Sequence, residues 1–330
     1  MIITRTPFRI SFFGGGTDYP QYYREHGGAV LATSIDKYCY ITCRKLPPFF
    51  RHKHRIVYSK IEEASKNSEI IHPSVREVLN YMSISNGLEI HHDGDLPARS
   101  GLGSSSSFTV GMLHALYAMQ GKMITKEKLA SDAIHVEQKM IEENVGSQDQ
   151  ISAAFGGFNK IVFHKNNLFE VTPVLLNAEK LQELESHLML FFTGFSRIAS
   201  EIAKSQLENL HLKAKTLESL GLMVDEGLSI LQGNEEISRF GKLLHEGWTY
   251  KKTLSNNVSN QAIDDIYLSA IEAGAIGGKI LGAGGGGFLL IFAKPENHQK
   301  IKDKLKDLVY VPFAFETDGS KVVLYQPNGL

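Results

Sequence analysis

Apolar residues follow two spacings along the chain, one typical of strands and one typical of helices. Alternating or continuous apolar segments predict strands at Ile2 to Ile10, Tyr38 to Cys43, Leu188 to Phe192, Phe288 to Ala293 and Val322 to Tyr325. Apolar residues that recur every three or four positions predict helices at Phe108 to Tyr117 and Leu217 to Leu231. Because strands and helices are mixed irregularly, we predict an α+β fold rather than a doubly wound parallel sheet.

The length of the chain indicates more than one domain. Its 330 residues exceed an average single domain. Helical and strand patterns resume after the glycine-ended segment AAFGGFNKIVF. We therefore expect two domains, residues 1–170 and 171–330, with the boundary near residues 165 to 185.

Charge and hydropathy narrow the class of partner. The 35 basic and 36 acidic residues give a formal net charge of −1, which removes the general attraction to nucleic acids and anionic membranes. No apolar run approaches the roughly 20 residues that span a bilayer, and the first residues lack the layout of a signal peptide. We expect a cytoplasmic protein with small-molecule partners, no nucleic acid and no membrane; the sequence leaves a homodimer open.

The first of three glycine-rich segments, PFRISFFGGGTDYP, follows a strand directly. Gly14, Gly15 and Gly16 let the backbone approach a ligand closely, and Thr17 and Asp18 come next. A tight turn closed by an aspartate that hydrogen-bonds its own backbone explains the same residues. The segment alone does not choose between a ligand-binding loop and a turn.

The second segment, LPARSGLGSSSSF, leads through two glycines and four serines into a helix. N–H groups at a glycine-rich helix N-terminus converge with the positive end of the helix dipole, so Gly101 to Ser107 favours phosphate binding. Helix capping by Ser104 or Ser105 is the alternative, but one cap needs only one serine. The pattern GxxxxGK[ST] is absent from the sequence, which excludes a Walker-type loop.

The third segment is GGKILGAGGGGFLLIF, where Gly282, Gly284 and Gly287 fit the fingerprint GxGxxG. That fingerprint requires a helix after the glycines, whereas FLLIF predicts a strand, so a nicotinamide site is disfavoured. A glycine-lined loop beside another ligand and a β-bulge or hairpin turn both remain open.

Two acidic residues stand out after the serines. A helix is predicted from about Lys126 to Glu143, and Glu137 shares its apolar face with Ile134 and Ile141. A buried carboxylate needs a partner such as a cation; an edge position with access to water is the alternative. Asp149, just after the next turn, fits a helix N-cap, an ion-pair member or a general base.

Taken in order, these segments resemble the motifs of the GHMP kinase superfamily, which includes galactokinase, homoserine kinase and mevalonate kinase. PFRISFFGGGTDY matches the first motif, LPARSGLGSSSS the phosphate-binding motif and KILGAGGGGF the C-terminal glycine motif. The details look closest to D-glycero-D-manno-heptose 7-phosphate kinases, which phosphorylate an anomeric hydroxyl. The resemblance implies an N-terminal domain like domain 2 of ribosomal protein S5, a ferredoxin-like C-terminal domain and an active site between them.

The resemblance also implies roles for individual residues. Asp149 would be the catalytic base and Arg9 a basic residue beside the reacting hydroxyl, with Ser105 and Glu137 as ligands of Mg²⁺. The residues expected to bind ATP are Pro97, Gly101, Leu102, Gly103, Ser104, Ser105, Ser106 and Ser107. The residues expected to bind substrate in the glycine motifs are Gly15, Gly16, Thr17, Asp18, Gly282, Gly284, Gly285 and Gly286. Galactokinases carry Glu-His where Gly15 and Gly16 stand, which puts galactose in doubt.

A basic segment, RKLPPFFRHKHR, contains no acidic residue between Arg44 and Arg55. Its charge suits a phosphate on the acceptor, so we expect Arg51 and Arg55 to bind that phosphate. A solvated basic hairpin is the alternative, and a nucleic-acid patch is disfavoured by the balanced global charge.

The sequence thus predicts a kinase that uses ATP and Mg²⁺ to phosphorylate the anomeric C1 hydroxyl of D-glycero-D-manno-heptose 7-phosphate, giving the 1,7-bisphosphate. Another GHMP small-molecule kinase, such as a fucose-type kinase or phosphomevalonate kinase, is one alternative. A noncatalytic sensor of sugar and ATP is the other. The presence of Glu137, Asp149 and the serine loop argues against a sensor, because a sensor needs no base.

Overall fold

The computed structural model describes residues 1–98, 100–194, 202, 204, 205 and 211–327. Within them the strands are β1 (Ile2–Phe13), β2 (Gly28–Lys45), β3 (His54–Val57), β4 (Ile61–Ala64), β5 (Leu88–Gly94), β6 (Phe158–Phe163), β7 (Phe169–Pro173), β8 (Leu188–Phe192), β9 (Ala275–Ile280), β10 (Phe288–Ala293), β11 (Val309–Tyr310), β12 (Phe315–Glu316) and β13 (Lys321–Tyr325). The helices are α1 (Pro20–His26), α2 (Pro73–Tyr81), α3 (Ser104–Met119), α4 (Lys126–His135), α5 (Gln148–Phe155), α6 (Ala178–Ser186), α7 (Ala214–Gln232), α8 (Ser238–Lys252), α9 (Gln261–Glu272) and α10 (His298–Lys304).

These strands form two sheets. The larger sheet has the order β13-β1-β2-β5-β3-β4, with β12 and β6 also paired to β2, and β7 paired to β6. The smaller sheet has the order β11-β8-β10-β9. Most pairs are antiparallel, and helices cover the sheets without regular alternation, which confirms the α+β prediction. None of the helices in the described ranges is long and apolar enough to cross a membrane.

The chain leaves the larger sheet after β7 and returns to it near its C-terminal end. β12 pairs with β2, and β13 pairs with β1. The expected domain of residues 171–330 therefore differs from the structure in one respect, because β12 and β13 lie in the N-terminal sheet. These last strands complete the sheet that the N-terminal residues begin.

An aromatic cluster joins the two sheets beside the end of β1. The ring of Phe240 in α8 lies 5.4 Å from that of Phe12, 5.0 Å from that of Phe13 and 6.1 Å from that of Phe292 in β10. All four side chains are buried. The residues that follow β1 are therefore held against both sheets.

The structure confirms most of the predicted elements and changes the length of others. Leu188–Phe192 and Phe288–Ala293 are strands with the predicted bounds. The helix expected from Lys126 to Glu143 is shorter: α4 ends at His135, and one π-helical turn covers Val136–Met140. The helix cannot continue because Glu142 has a left-handed backbone with φ of 60°.

Candidate active site

An ion pair between Arg9 of β1 and Asp149 of α5 forms the centre of the site. Nε of Arg9 donates to Oδ1 of Asp149 at 2.8 Å, and Nη2 donates to Oδ2 at 2.9 Å. Nη1 of Arg9 donates to the carbonyl of Gly101 at 2.7 Å. The arginine side chain is 5% exposed and the aspartate side chain 25% exposed. This two-pronged contact orients the carboxylate and leaves it accessible to a substrate.

The loop before α3 docks on the edge of β1 next to this pair. β13 pairs only with Ile2 to Arg5 of β1. Beyond them, the N–H of Arg9 donates to the carbonyl of Leu102 at 3.1 Å. The side chain of Leu102 is buried, so this residue holds the loop in place through packing and its backbone.

The N-terminus of α3 faces the ion pair. Its N-cap residue is Gly103, and no side chain caps this helix. Capping by a serine, the alternative explanation of these serines, is therefore not observed. A Cβ on Gly103 would lie 3.4 Å from Cγ of Arg9 and 3.5 Å from Cγ of Asp149, and its φ of 76° favours glycine. The backbone N–H groups of the first helical turn therefore lie beside Arg9 and Asp149, where the N-terminus of a helix suits an anion.

The serines of this turn have different surroundings. Ser105 is exposed, whereas Ser106 is buried and its hydroxyl donates to Oε2 of Glu137 at 2.8 Å. Ser107 is also buried and donates to the carbonyl of Pro7 at 2.9 Å, so its hydroxyl fixes β1 rather than facing a ligand. The hydroxyl that donates to Glu137 is that of Ser106, because the helix turns Ser106 toward the carboxylate and leaves Ser105 exposed. That Ser105 and Glu137 both bind Mg²⁺ stays a prediction.

Glu137 is fully buried, as its place on the apolar face predicted. Burial, reinforced by the charge of Glu143, raises the pKa of Glu137 to about 7. Its Oε2 also accepts from Nε2 of Gln150 at 2.5 Å, whereas its Oε1 is buried and has no hydrogen-bond partner. An unbonded carboxylate oxygen next to a serine hydroxyl is a donor set that suits a hard divalent cation.

Asp18 connects the first glycine segment to α5. Its Oδ1 accepts from the N–H of Gly16 at 2.9 Å and its Oδ2 from the N–H of Gln148 at 3.4 Å. Burial and then the charge of Asp149 raise the pKa of Asp18. The Thr17 hydroxyl, also buried, donates to the carbonyl of Gly14 at 2.8 Å. Both side chains thus shape the turn, and substrate binding by Thr17 and Asp18 stays a prediction.

The third glycine segment packs against the loop before α3. A Cβ on Gly282 would lie 2.5 Å from Cα of Gly101, and one on Gly287 would lie 2.2 Å from the carbonyl oxygen of Ser100. Gly284 and Gly285 contact the backbone of Val258, and Gly286 lies in the same loop. These glycines are needed chiefly for close backbone packing, which brings the three glycine segments together.

Comparison with known proteins now places the chain in a family. The family models for the GHMP kinases N terminal domain and the GHMP kinases C terminal region match residues 69–157 and 231–311. A D-glycero-alpha-D-manno-heptose 7-phosphate kinase from Campylobacter jejuni is 30% identical over 97% of this chain and 98% of the relative. The chain belongs to the GHMP kinase family.

Two further relatives agree with this membership. The crystal structure of a D-glycero-D-manno-heptose 1-phosphate kinase from Bacteriodes thetaiotaomicron superposes on this GHMP kinase with a TM-score of 0.79 at 25% identity, covering 97% of this chain and 98% of that one. A galactokinase from Thermotoga maritima is 23% identical over 91% of this chain and 92% of the relative. As a family member, the protein is a kinase, an enzyme that transfers a phosphoryl group.

Arg51 and Arg55 lie away from the centre of this GHMP kinase. Nη1 of Arg55 donates to Oε1 of Glu89 at 2.8 Å. Glu89 pairs with Arg44 across β2 and β5, whereas Arg9 pairs with Ser34 of β2. Ser34 and Arg44 are ten residues apart on one strand, which separates them by on the order of 30 Å. The structure therefore places Arg55 at the far end of the sheet from Arg9, which argues against the expectation that Arg51 and Arg55 bind the acceptor phosphate.

Pro97, expected to bind ATP, lies at an opening between the two sheets. It lines a cavity of about 620 Å³ together with Leu96, Phe192, Phe288 and Tyr310. Neither Arg9 nor Asp149 lines this cavity.

The sequence motifs of the GHMP kinase did not reveal two polar side chains next to Gly15. The Cβ position of Gly15 is 3.9 Å from both Oγ of Ser11 and Nε2 of Gln148. Oγ of Ser11 and Oε1 of Gln148 are buried without a hydrogen-bond partner. One sign of this pair was present in the sequence, which is that Ser11 is a polar residue within the largely apolar segment FRISFF. Unpaired buried polar atoms are costly, so this pair indicates a place for a polar ligand.

Proposed function

We propose that this kinase transfers the γ-phosphoryl group of ATP to the anomeric hydroxyl of D-glycero-D-manno-heptose 7-phosphate. The ion pair of Arg9 and Asp149 at the N-terminus of α3 carries the proposal. It combines a positioned carboxylate, a buried cation and the backbone N–H groups of a helix N-terminus, which are parts that phosphoryl transfer uses.

Each of these parts has one role in the reaction. The N–H groups of the first turn of α3 bind the ATP phosphates, and Arg9 offsets charge on the transferring group. The acceptor oxygen bonds to the γ-phosphorus while the bond between that phosphorus and the bridging oxygen of ADP breaks. Asp149 accepts the proton of the hydroxyl.

Mg²⁺ fits the donor set at Glu137. Bound there, it would supply charge neutralisation on the ATP phosphates. Glu137 would hold it through Oε1, with the hydroxyl of Ser106, which donates to Oε2 of the same carboxylate, as a second ligand in place of the expected Ser105. Carboxylate and hydroxyl oxygens are ligands that Mg²⁺ prefers.

The acceptor is proposed from the relatives and from the glycines of the first segment. Two relatives are kinases of a heptose phosphate, and they differ in the position of the phosphate, 7 or 1. Gly15 and Gly16 stand where galactokinases carry Glu-His, which argues against galactose. Heptose 1-phosphate is the second candidate, favoured by the name of the structural neighbour.

ADP release with Mg-ATP tests this function across heptose 7-phosphate, heptose 1-phosphate, mannose 6-phosphate, mannose, fucose, galactose and mevalonate. We expect turnover selective for heptose 7-phosphate, with phosphorus NMR of the product showing a new anomeric phosphate. Selective turnover of heptose 1-phosphate would replace the acceptor. Binding of ATP and sugar without turnover of any acceptor would favour the sensor.

Asp149→Asn tests the base. We expect kcat to fall by about a hundredfold or more with ATP binding kept, because the amide cannot accept the proton. Asp225→Asn, at an exposed carboxylate paired with Lys160, is the matched control and should leave kcat unchanged. Near-normal turnover of Asp149→Asn would remove Asp149 from this role.

A further inference from the structure

Two buried lysines lie where the first and third glycine segments meet. Lys251, in the last turn of α8, is 8% exposed, and Lys279, in β9, is 7% exposed. Lysine is almost never buried to this extent unless a negative group pairs with it. Their burial therefore needs an explanation beyond packing.

Among the described residues, the hydrogen bonds of these ammonium groups go to backbone carbonyls. Nζ of Lys279 donates to the carbonyl of Phe12 at 2.8 Å, and Nζ of Lys251 donates to the carbonyls of Ile280 at 3.0 Å and Gly282 at 2.5 Å. Among the described residues, no carboxylate oxygen lies within 4.0 Å of either nitrogen. An ammonium group has three donors, so these bonds leave two on Lys279 and one on Lys251.

Their contacts place both lysines at the active site. Phe12, the acceptor for Lys279, follows Ser11, whose hydroxyl has no hydrogen-bond partner. Gly282, an acceptor for Lys251, packs against Gly101 of the loop before α3. Burial, followed by the positive charge of Arg9, lowers the pKa of Lys279 to about 7. Burial and the charge of Lys279 lower the pKa of Lys251. The charge of Asp18 acts in the opposite direction on both lysines, and Asp149 pairs with Arg9. Of these described side chains, three are basic and two are acidic, so one positive charge has no acidic counterpart among them.

We propose that Lys251 and Lys279 bind the phosphate that the acceptor already carries. This inference rests on the proposed function. A sugar phosphate whose hydroxyl lies at Asp149 needs a second cationic site, and the other candidate, Arg55, is at the far end of the sheet and paired with Glu89. A phosphate dianion would occupy the remaining ammonium donors and neutralise the buried charge.

Lys251→Met and Lys279→Met test the site, because methionine keeps the length and removes the charge. We expect each to raise KM for heptose 7-phosphate by about tenfold to a hundredfold, the range for a lost charged hydrogen bond. KM for ATP, and kcat/KM for the same heptose without its phosphate, should stay within about twofold, because these measurements do not involve the acceptor phosphate. Lys252→Met is the matched control, since Lys252 pairs with Asp264 and is more exposed.

Two results would overturn the lysine site. An equal fall in kcat for the phosphorylated and unphosphorylated acceptor would assign the lysines to the transferring phosphoryl group. A lower unfolding temperature with unchanged preference for the phosphorylated acceptor would leave them a purely structural role.

If the methionine variants do not fold, the lysine site is tested on the wild type and on the variants Lys251→Arg and Lys279→Arg. Inorganic sulfate should compete with heptose 7-phosphate but not with the unphosphorylated heptose in the wild type, and the opposite result would contradict the site. Absence of wild-type turnover on every sugar would contradict the proposed function itself. Turnover by both methionine variants with an unchanged preference for the sugar phosphate would contradict only the lysine site.

Discussion

At the scale of single residues, the acceptor side of the site is shaped by the missing side chain of Gly15. Ser11 and Gln148 flank this glycine with polar atoms that have no partner in the protein. Gly15 is not among the glycines with positive φ, unlike Gly14 and Gly16. Its backbone therefore accepts an alanine, and the open space above it, rather than backbone freedom, is the reason that glycine matters here.

Gly15→Ala should impair acceptor binding selectively. The added methyl group makes only ordinary contacts with the protein, yet it fills the space between Ser11 and Gln148. We expect an unchanged unfolding temperature and KM for ATP, and an acceptor KM raised by about fivefold to a hundredfold because buried polar groups lose a partner. Gly247→Ala, in α8, is the control. An unchanged acceptor KM would show that the acceptor does not contact these two side chains.

Motif spacing predicted part of the site and could not predict the rest. Arg9 and Asp149 lie together with Gly103, which three separated segments of the sequence indicated. The choice of Ser106 over Ser105 depends on the residue at which α3 begins, because successive helical side chains point about 100° apart. The burial of Lys279 was not predictable, since lysine is ordinarily at the surface and its position here follows from the pairing of β9 with β10 and its packing against α8.

At the scale of elements, glycine backbones hold the loop before α3 against the loop between β9 and β10. The tightest of these contacts is at Gly287, where an added Cβ would lie 2.2 Å from the carbonyl oxygen of Ser100. The strand after these glycines was predictable because FLLIF is continuously apolar. The π turn after α4 was not, because apolar spacing does not show which residues form the wider hydrogen bonds of one turn.

Gly287→Ala should displace the loop before α3. Its φ is 88° and the new Cβ would overlap the Ser100 carbonyl. We expect the free energy of unfolding to fall by about 2 kcal/mol or more, from backbone strain together with the overlap. KM for ATP should rise. Gly121→Ala is the control, because Gly121 has a φ of 68° and no atom within 4 Å of its Cβ position. Equal effects of the two substitutions in urea unfolding would show that the close approach contributes nothing.

At the scale of the whole molecule, the buried lysines link stability to pH. The pKa of Lys279 falls to about 7 from an ordinary value of 10.5 because burial and then Arg9 disfavour its charge. Between these values the unfolded chain holds a proton that the folded chain has lost. The free energy of unfolding therefore gains a contribution from Lys279 that rises with pH across this window, and below pH 7 that contribution is constant.

Unfolding temperatures of the wild type and Lys279→Met from pH 7 to 10 measure this contribution. We expect the advantage of Lys279→Met over the wild type to be largest near pH 7 and to shrink toward pH 10, as the wild type no longer carries a buried charge. Lys252→Met should show no such trend. A difference that is constant across the range would mean that Lys279 keeps its proton in the folded protein.

The pairing of β13 with β1 also sets the order in which the protein can be completed during synthesis. The first residues of β1 cannot pair with β13 until residues about 320 positions later in the chain have been synthesised. At roughly 5–20 residues per second, that wait lasts about 15 to 65 s. Throughout it, one edge of β1 carries unpaired backbone groups that can join a strand of another chain. The strand that bears Arg9 therefore carries an open edge in the nascent enzyme until β13 pairs with it.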